Sequence, residues 1–279
     1  MHFMTKFKVG IIGFGFVGES QAFAFAPIAD VKIFDVDKTK STHTIEEVLS
    51  QDFIFVCIPT PMKENGEQDL SYIENFFGGI GLYNTEAIFI LKSTVLPGTT
   101  KQLEEKFNFN IVFCPEFLTE KTAKLDMLTQ PRIVIGGSSF LNTLAVQQLF
   151  EIRFGNKHYI VTDSTSAELI KYMSNNFLTV KTAFFNEYYD LAEKLGADWN
   201  QIVEGVVADP RIGNSHSKVP GHDGKRGFGG TCFPKDINAI IEFSKNNNVE
   251  MNTLEAAWKT NLRVRPEQDW KQLKGRAVS

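Results

Sequence analysis

"GIIGFGFVGES", residues 10–20, decides the fold. The apolar run "KVGIIG" stops at Gly13, and Gly13, Gly15 and Gly18 then fall at the G-x-G-x-x-G spacing. In such a turn the first glycine permits the tight bend. The second lets backbone approach a pyrophosphate, and the third lets the next helix pack on the strand. A helix opening at Phe16 and Val17 would present free N–H groups to phosphates. The spacing alone is a weak signal, but here it opens a strand–helix–strand unit. "VKIFD" then places Asp35 about twenty residues on, at the end of a second strand. A carboxylate there accepts hydrogen bonds from a ribose diol and repels a 2′-phosphate. The expected cofactor is therefore NAD rather than NADP.

Outward from this turn, further apolar runs follow at "FIFVCIP", "AIFILKS", "NIVFCPE" and "RIVIGG". They are continuous rather than alternating, as in strands buried on both faces of a parallel sheet. Segments such as "LSYIENFFGGIGLY" and "TTKQLEEKF" lie between them with helical character. The pattern predicts an α/β fold, a Rossmann-like doubly wound parallel sheet, over residues 1–163.

The rhythm changes after Thr162. "DSTSAELIKYMSNNFLTVKTAFFNEYYDLAEKLGAD" has no strand break and no proline, and predicts one helix over 164–195. Thr165 with Glu168 reads as a capping box, and Gly196 as the stop. Such a helix is roughly 45 Å long. It carries Phe177, Leu178, Phe184, Phe185, Tyr188 and Tyr189, more apolar surface than a small domain covers, so a homodimer through this helix is expected. The remainder of 164–279 reads as an all-α central, dimerisation domain of helices around a glycine-rich loop at 209–231.

Composition bounds the function. The 279 residues are 43% hydrophobic and 22% charged with a net charge of −4, so no basic field points to nucleic acid or an anionic membrane. No apolar run reaches the ~18–20 residues of a membrane span, and the N-terminus lacks a signal-peptide pattern. Cys57, Cys114 and Cys232 are spaced as neither a disulfide framework nor a metal site, so a reducing cytoplasm and no metal are expected.

Cys57 and Cys114 sit in apolar runs and read as core. Cys232 lies instead in "GFGGTCFPKD", residues 227–236. Pro234 suits the first turn of a helix, so Cys232 falls just before a helix N-terminus, which favours the thiolate. The flanking glycines would let a substrate approach. On local sequence alone, a nucleophile and a structural thiol remain equally open.

"GFGGTCFPKD" resembles the catalytic cysteine loop of the UDP-glucose/GDP-mannose dehydrogenase family, NAD-dependent enzymes that oxidise nucleotide sugars by four electrons. "FVCIPTPM" (55–62), "KSTVLPGTT" (92–100), "PEFLTE" (115–120), "ELIKYMSNNFLTVKTAFFNE" (168–187) and "DPRIG" (209–213) match in the family's order, and the resemblance spans about residues 7–275. It implies oxidation of a primary alcohol to a carboxylate through a thiohemiacetal and a thioester on Cys232, on a UDP-sugar, with UDP-glucose foremost. It implies that Lys171 and Asn175, four apart on one helix face, hold the developing oxyanion. Asp236 would assist proton transfer, Glu116 would handle the hydrolytic water and Thr94 would position it. Thr60, Pro61, Thr94, Glu120 and Lys235 would border the cofactor. Glu116, Phe117, Leu118, Lys171, Asn175, Gly229 and, from a neighbouring subunit, Arg211 would border the substrate.

The family usually continues into a third domain that grips the nucleotide. "LKGRAVS" resembles that domain's first strand, so most of the grip is expected to lie outside this chain. The segment 258–279 holds Lys259, Arg263, Arg265, Lys271, Lys274 and Arg276 against Glu267 and Asp269, and reads as a solvated basic tail, with a phosphate-contacting flap as the sharper reading. A two-electron β-hydroxyacid dehydrogenase shares the cofactor domain and long helix but works without a cysteine nucleophile. A non-catalytic remnant that needs a partner domain is the third reading; Cys232, Lys171 and Asp236 weigh against it.

Overall fold

The computed structural model describes residues 6–83 and 85–279. Contacts divide the chain into two compact units: residues through Thr60 with Leu70–Lys171, and Pro61–Asp69 with Tyr172–Ser279. The first unit runs β1 (Phe7–Ile12), α1 (Phe16–Phe25), β2 (Ala29–Phe34), α2 (Ile45–Leu49), β3 (Phe53–Val56), α3 (Ser71–Gly79), β4 (Ile88–Leu91), α4 (Thr99–Phe107), β5 (Asn110–Phe113), α5 (Ala123–Thr129), β6 (Arg132–Gly136), α6 (Phe140–Phe154) and β7 (His158–Thr162).

These strands form one sheet in the order β2-β1-β3-β4-β5-β6-β7. From β2 to β5 every pairing is parallel. Alternate residues of β3, β4 and β5 feed opposite cores: Ile54, Val56, Phe89, Leu91, Ile111 and Phe113 enter one, and Phe55, Ile90 and Val112 the other. Both faces are therefore covered, which is why the strands read as unbroken apolar runs. Rings fill both cores: Phe25 meets Phe55 at 4.9 Å and Phe150 at 5.2 Å, and Phe77 meets Phe89 at 5.4 Å.

The Rossmann-like α/β class stands, but the sheet is not parallel throughout. β6 joins β5 antiparallel, through the single pair Phe113–Gly136, and β7 runs parallel to β6. The connection from β5 holds only a short 3-10 turn, Glu120–Thr122, and the seven-residue α5. That helix packs on α1 instead of crossing the sheet, so no crossover turns the chain back into parallel register. β7 was not among the apolar runs: "HYIVT" is an edge strand, half-exposed, and its pattern is broken by polar ends.

Helix α7 runs Ser164–Leu195, as its sequence predicts. Gly196 follows with φ +69°, and the Ala197 N–H reaches back to the Ala192 carbonyl at 3.0 Å, closing the helix in the expected way. The expected capping box is not formed. Asp163 caps instead, accepting from the Ser166 N–H at 2.8 Å. Glu168 is wholly buried and accepts from the Gly98 N–H (2.5 Å), the Thr100 N–H (2.8 Å) and the Thr100 hydroxyl (2.6 Å). The physical reason lies in α4: Gly98 precedes it in the left-handed region with no side chain to cap, so the orphan N–H groups need an outside acceptor.

The second unit holds the rest of α7 with α8 (Trp199–Val207), α9 (Phe233–Asn246) and α10 (Asn252–Val264). One cluster gathers Ala183, Phe228, Ile237, Ile241 and Ala257; another gathers Phe185, Ala192, Trp199 and Val219. Of the aromatic stripe on α7, Phe185 is thus core, whereas Phe177, Phe184 and Tyr188 are exposed. The residues read as a strand at "LKGRAVS" form a tight turn, with Lys274 bridged to Val278. The turn hooks onto Met62, whose N–H reaches the Ala277 carbonyl at 2.9 Å. Among the described residues no helix is long and apolar enough to cross a membrane.

Burial raises the Glu168 carboxyl from 4.5 to about 7, despite its three donors. The folded chain therefore holds a proton that the unfolded chain has released between those values, and this group's contribution to stability falls as pH rises through that window. Urea unfolding at pH 5 and pH 8 checks it. Wild type should lose more stability across the interval than Glu168→Gln, and a wild-type gain relative to the variant would refute the assignment.

Candidate active-site residues

In the first unit, the glycine turn ends β1. Gly13 has φ +87° and lies so close to the Cys57 carbonyl that a Cβ would sit 2.6 Å from its oxygen. A Cβ on Gly18 would meet the Gly13 oxygen at 2.0 Å, so α1 packs against the turn only because no side chain intervenes. Gly15 is different: it caps α1 without a side-chain bond, and nothing stands within 4 Å of where its Cβ would be. This opening, beside the uncapped N–H groups of Phe16, Val17 and Gly18, fits a phosphate. Asp35 follows β2 and accepts from the Phe14 N–H at 2.5 Å, tying the acidic strand end to the turn. Its other oxygen accepts from the Asp37 N–H at 2.8 Å. A cleft of about 440 Å³ beside α1 is lined by Phe16, Glu19, Ser20 and Glu120–Leu125, which places Glu120 near the same helix end.

Lys171 and Glu116 meet in this unit. Lys171 Nζ donates to the Glu116 carbonyl and lies 3.2 Å from Oε1, with both side chains buried. The ammonium also sits 5.0 Å above the Phe117 ring. Glu116 Oε2 accepts from the Leu118 N–H at 2.5 Å, which fixes the "PEFL" turn. Thr60, buried, donates to the Thr94 carbonyl at 2.7 Å, joining the ends of two of the recognised motifs.

In the second unit Cys232 is the N-cap of α9, with Pro234 in the first turn, as the sequence predicts. Asp236, fully buried, lies one turn on, its N–H bonded to the Cys232 carbonyl at 2.9 Å. Its carboxylate accepts from Asn175 Nδ2 at 2.6 Å and from Lys235 Nζ at 2.5 Å. Asn175, Lys235, Asp236 and the start of α9 thus form one polar cluster inside an apolar unit. Pro61 is buried in this unit, in the segment carried over from β3. Gly229 packs against Arg265. Arg211 stands apart on the surface, its side chain 87% exposed, paired with Asp209 at 2.6 Å.

The other thiols are in different surroundings. Burial pushes Cys57 up to about 12 and raises Cys114 as well, which disfavours the thiolate at both.

Sequence reading missed the partners of the tail. Arg265 is 2% exposed, between Asp223 and Asp269 at 2.7 Å each, and Arg263 pairs with Asp190 at 2.6 Å. Arg265 therefore does not belong to a solvated tail, and its guanidinium is taken up by two carboxylates; Arg263 is exposed as expected, paired through one nitrogen. The sequence signal was an excess of basic residues, which does not say where the carboxylates will lie.

Comparison with known proteins places these motifs in a lineage. Residues 38–153 match the NAD binding domain of the UDP-glucose/GDP-mannose dehydrogenase family, and residues 165–263 match its central domain. The chain is 37% identical over 223 residues to a UDP-glucose 6-dehydrogenase of Rickettsia bellii, covering 77% of this chain and 50% of that protein. It is 32% identical over 288 residues to a UDP-glucose 6-dehydrogenase of Campylobacter jejuni, covering 91% and 72%. A UDP-glucose dehydrogenase structure from Pyrobaculum islandicum superposes with a TM-score of 0.84 at 27% identity, over 94% of this chain and 69% of that one. The chain spans about half the length of the rickettsial relative. Both matched domains occur in order along the chain, and the chain belongs to the UDP-glucose/GDP-mannose dehydrogenase family.

Proposed function

We propose that this chain is an NAD-dependent nucleotide-sugar dehydrogenase that takes a primary alcohol to the carboxylate, with a UDP-sugar, and UDP-glucose first among them, as substrate. The observation that carries the reading is the buried cluster at the start of α9. There Cys232 caps the helix while Asp236, one turn away, is held by Asn175 and Lys235. The names of the relatives favour a UDP-sugar.

The glycine turn, the opening at Gly15 and the Asp35 carboxylate fit a dinucleotide, and when bound its nicotinamide supplies a hydride acceptor. Gly13, Gly15, Phe16, Val17 and Gly18 would hold its phosphates and Asp35 its ribose diol, with Thr60, Pro61, Thr94, Glu120 and Lys235 as further residues that would border it. Two oxidations of one carbon require two hydride departures and the oxygen of one water. The first also releases the hydroxyl proton to solvent; Cys232 then gives its proton to Asp236 as Sγ bonds to the aldehyde carbon, and the carbonyl oxygen becomes an alkoxide that Lys171 and Asn175 stabilise with donated hydrogen bonds. The second departure leaves a thioester. Water then breaks the C–S bond, with Glu116 accepting its proton, Thr94 orienting it and Asp236 returning a proton to the sulfur. Phe117, Leu118 and Gly229 border the sugar.

A pair as buried as Lys171–Glu116 is expensive to desolvate and is weak evidence for stability alone. Its retention suits a lysine needed as a charge and a carboxylate needed as a base. A two-electron β-hydroxyacid reaction would leave Cys232 and its loop without a task. The exposed Phe177, Phe184 and Tyr188 along α7 support a homodimer through that helix, in which the exposed Arg211, paired with Asp209, would face a neighbouring subunit. A reducing, cytoplasmic setting would keep Cys232 a thiol.

Nicotinamide absorbance over a panel of UDP- and GDP-sugars tests the reaction: two NADH per sugar consumed are expected, and one NADH per sugar would overturn the four-electron reading. Cys232→Ser should bind NAD as wild type does while acid formation drops by at least about 100-fold, as when a nucleophile is removed; acid formed at the parent rate would remove the thiol from the mechanism. Asp35→Ala should weaken NAD about tenfold, the worth of a hydrogen bond to a charged group. NADP binding should strengthen by less than this as the repulsion of its 2′-phosphate is lifted, so the preference narrows mainly through NAD, and calorimetric titration with both cofactors decides it.

A further inference from the structure

The cysteine loop is braced by one helix that lies outside the residues given catalytic roles. From α10, Asn261 enters the loop with its side chain wholly buried. It accepts from the Phe228 N–H at 2.7 Å and donates to the Phe228 carbonyl at 2.9 Å, imitating a strand partner. One turn later Arg265, 2% exposed, donates to Asp223 at 2.7 Å, to both oxygens of Asp269 at 2.8 and 2.7 Å, and to the Arg226 carbonyl at 3.2 Å. Its guanidinium fills the space beside Gly229, where a Cβ would lie 2.5–2.7 Å from three of its atoms. Gly227 has φ +65°, and a Cβ there would lie 2.3 Å from Asn261 Oδ1. Two glycines of "GFGG" therefore serve the approach of α10.

We infer that Asn261 and Arg265 are positioning residues for Cys232. They pin Phe228 and Gly229, and through Gly230 and Thr231 they hold the thiol at the head of α9 in one conformation. The inference rests on the reading of Cys232 as nucleophile. A loop with Gly227, Gly229 and Gly230 would otherwise carry large conformational freedom that must be lost to order it. Reaction at sulfur needs that ordering done in advance. Arg265 is suited to the task because its charge is already matched by two carboxylates: it acts as a rigid planar strut with fixed donors, which lysine cannot copy.

Iodoacetamide alkylation of Cys232 in the full chain, followed by peptide mass mapping from pH 6 to 9, tests this without relying on turnover. Asn261→Asp keeps the acceptor and loses the donor, Arg265→Lys keeps the charge and loses the fork, and Gly229→Ala adds one methyl against the guanidinium. Each should change the Cys232 alkylation rate at pH 7 by about fivefold or more and shift its pH profile, as expected for a displaced reacting group. Cys57 and Cys114 should remain slow in all of them. In the Gly229→Ala background, Arg265→Lys should have a smaller effect than it has alone, because both changes act on the same contact. Where nucleotide-sugar oxidation is measured, kcat should fall while the affinity for NAD is unchanged. Profiles within twofold of wild type, accompanied only by a lower Tm, would reduce the two residues to structural supports and overturn the inference. Should the α10 variants not fold, Gly229→Ala decides by the same readout. Acid formation by Cys232→Ser would refute the nucleophile itself, an outcome separate from the alkylation profiles.

Discussion

Glu168 is the contact on which the arrangement of the first unit depends. Its buried carboxylate supplies the acceptors that the N-terminus of α4 lacks, and so welds the first turn of α7 to the loop after β4. Lys171 follows three residues later on the same face of the helix and reaches Glu116. Asn175 follows one further turn on and reaches Asp236. Three polar side chains of one helix thus each bind a different motif.

Buried polar groups concentrate at these motifs. The sheet cores are apolar on both faces and explain the stability of the first unit without help from charge. Lys171 with Glu116, and Asp236 with Asn175 and Lys235, are costly by comparison and are tolerated because each charge finds a partner. Such pairs are a poor way to build a core and a good way to hold ready charges where water is scarce.

The three cysteines show how environment separates like side chains. Cys114 is sealed among strands, and Cys57 packs against the same core at a strand end; burial holds both as thiols. Cys232 stands at a helix N-terminus, in a loop that α10 braces from the side through Asn261 and Arg265. The loop is thus held by packing, and Gly227 and Gly229 answer to the close approach of α10.

Features governed by neighbours in sequence were legible in advance. The glycine turn, the buried strands, the bounds of α7 at Ser164 and Leu195, and Cys232 ahead of Pro234 all follow from periodicity, caps and local backbone preference. What only the tertiary structure decided involves distant partners. β6 runs antiparallel because α5 packs on α1 and does not cross the sheet. Glu168 does not close a capping box because an uncapped helix 68 residues earlier takes its carboxylate. Arg265 is no tail residue because Asp223, 42 residues before it, lies within 2.7 Å. A sequence states the charge and size of each side chain directly. Which acceptor lies opposite a donor is set by how the elements pack, and no local pattern carries that distance.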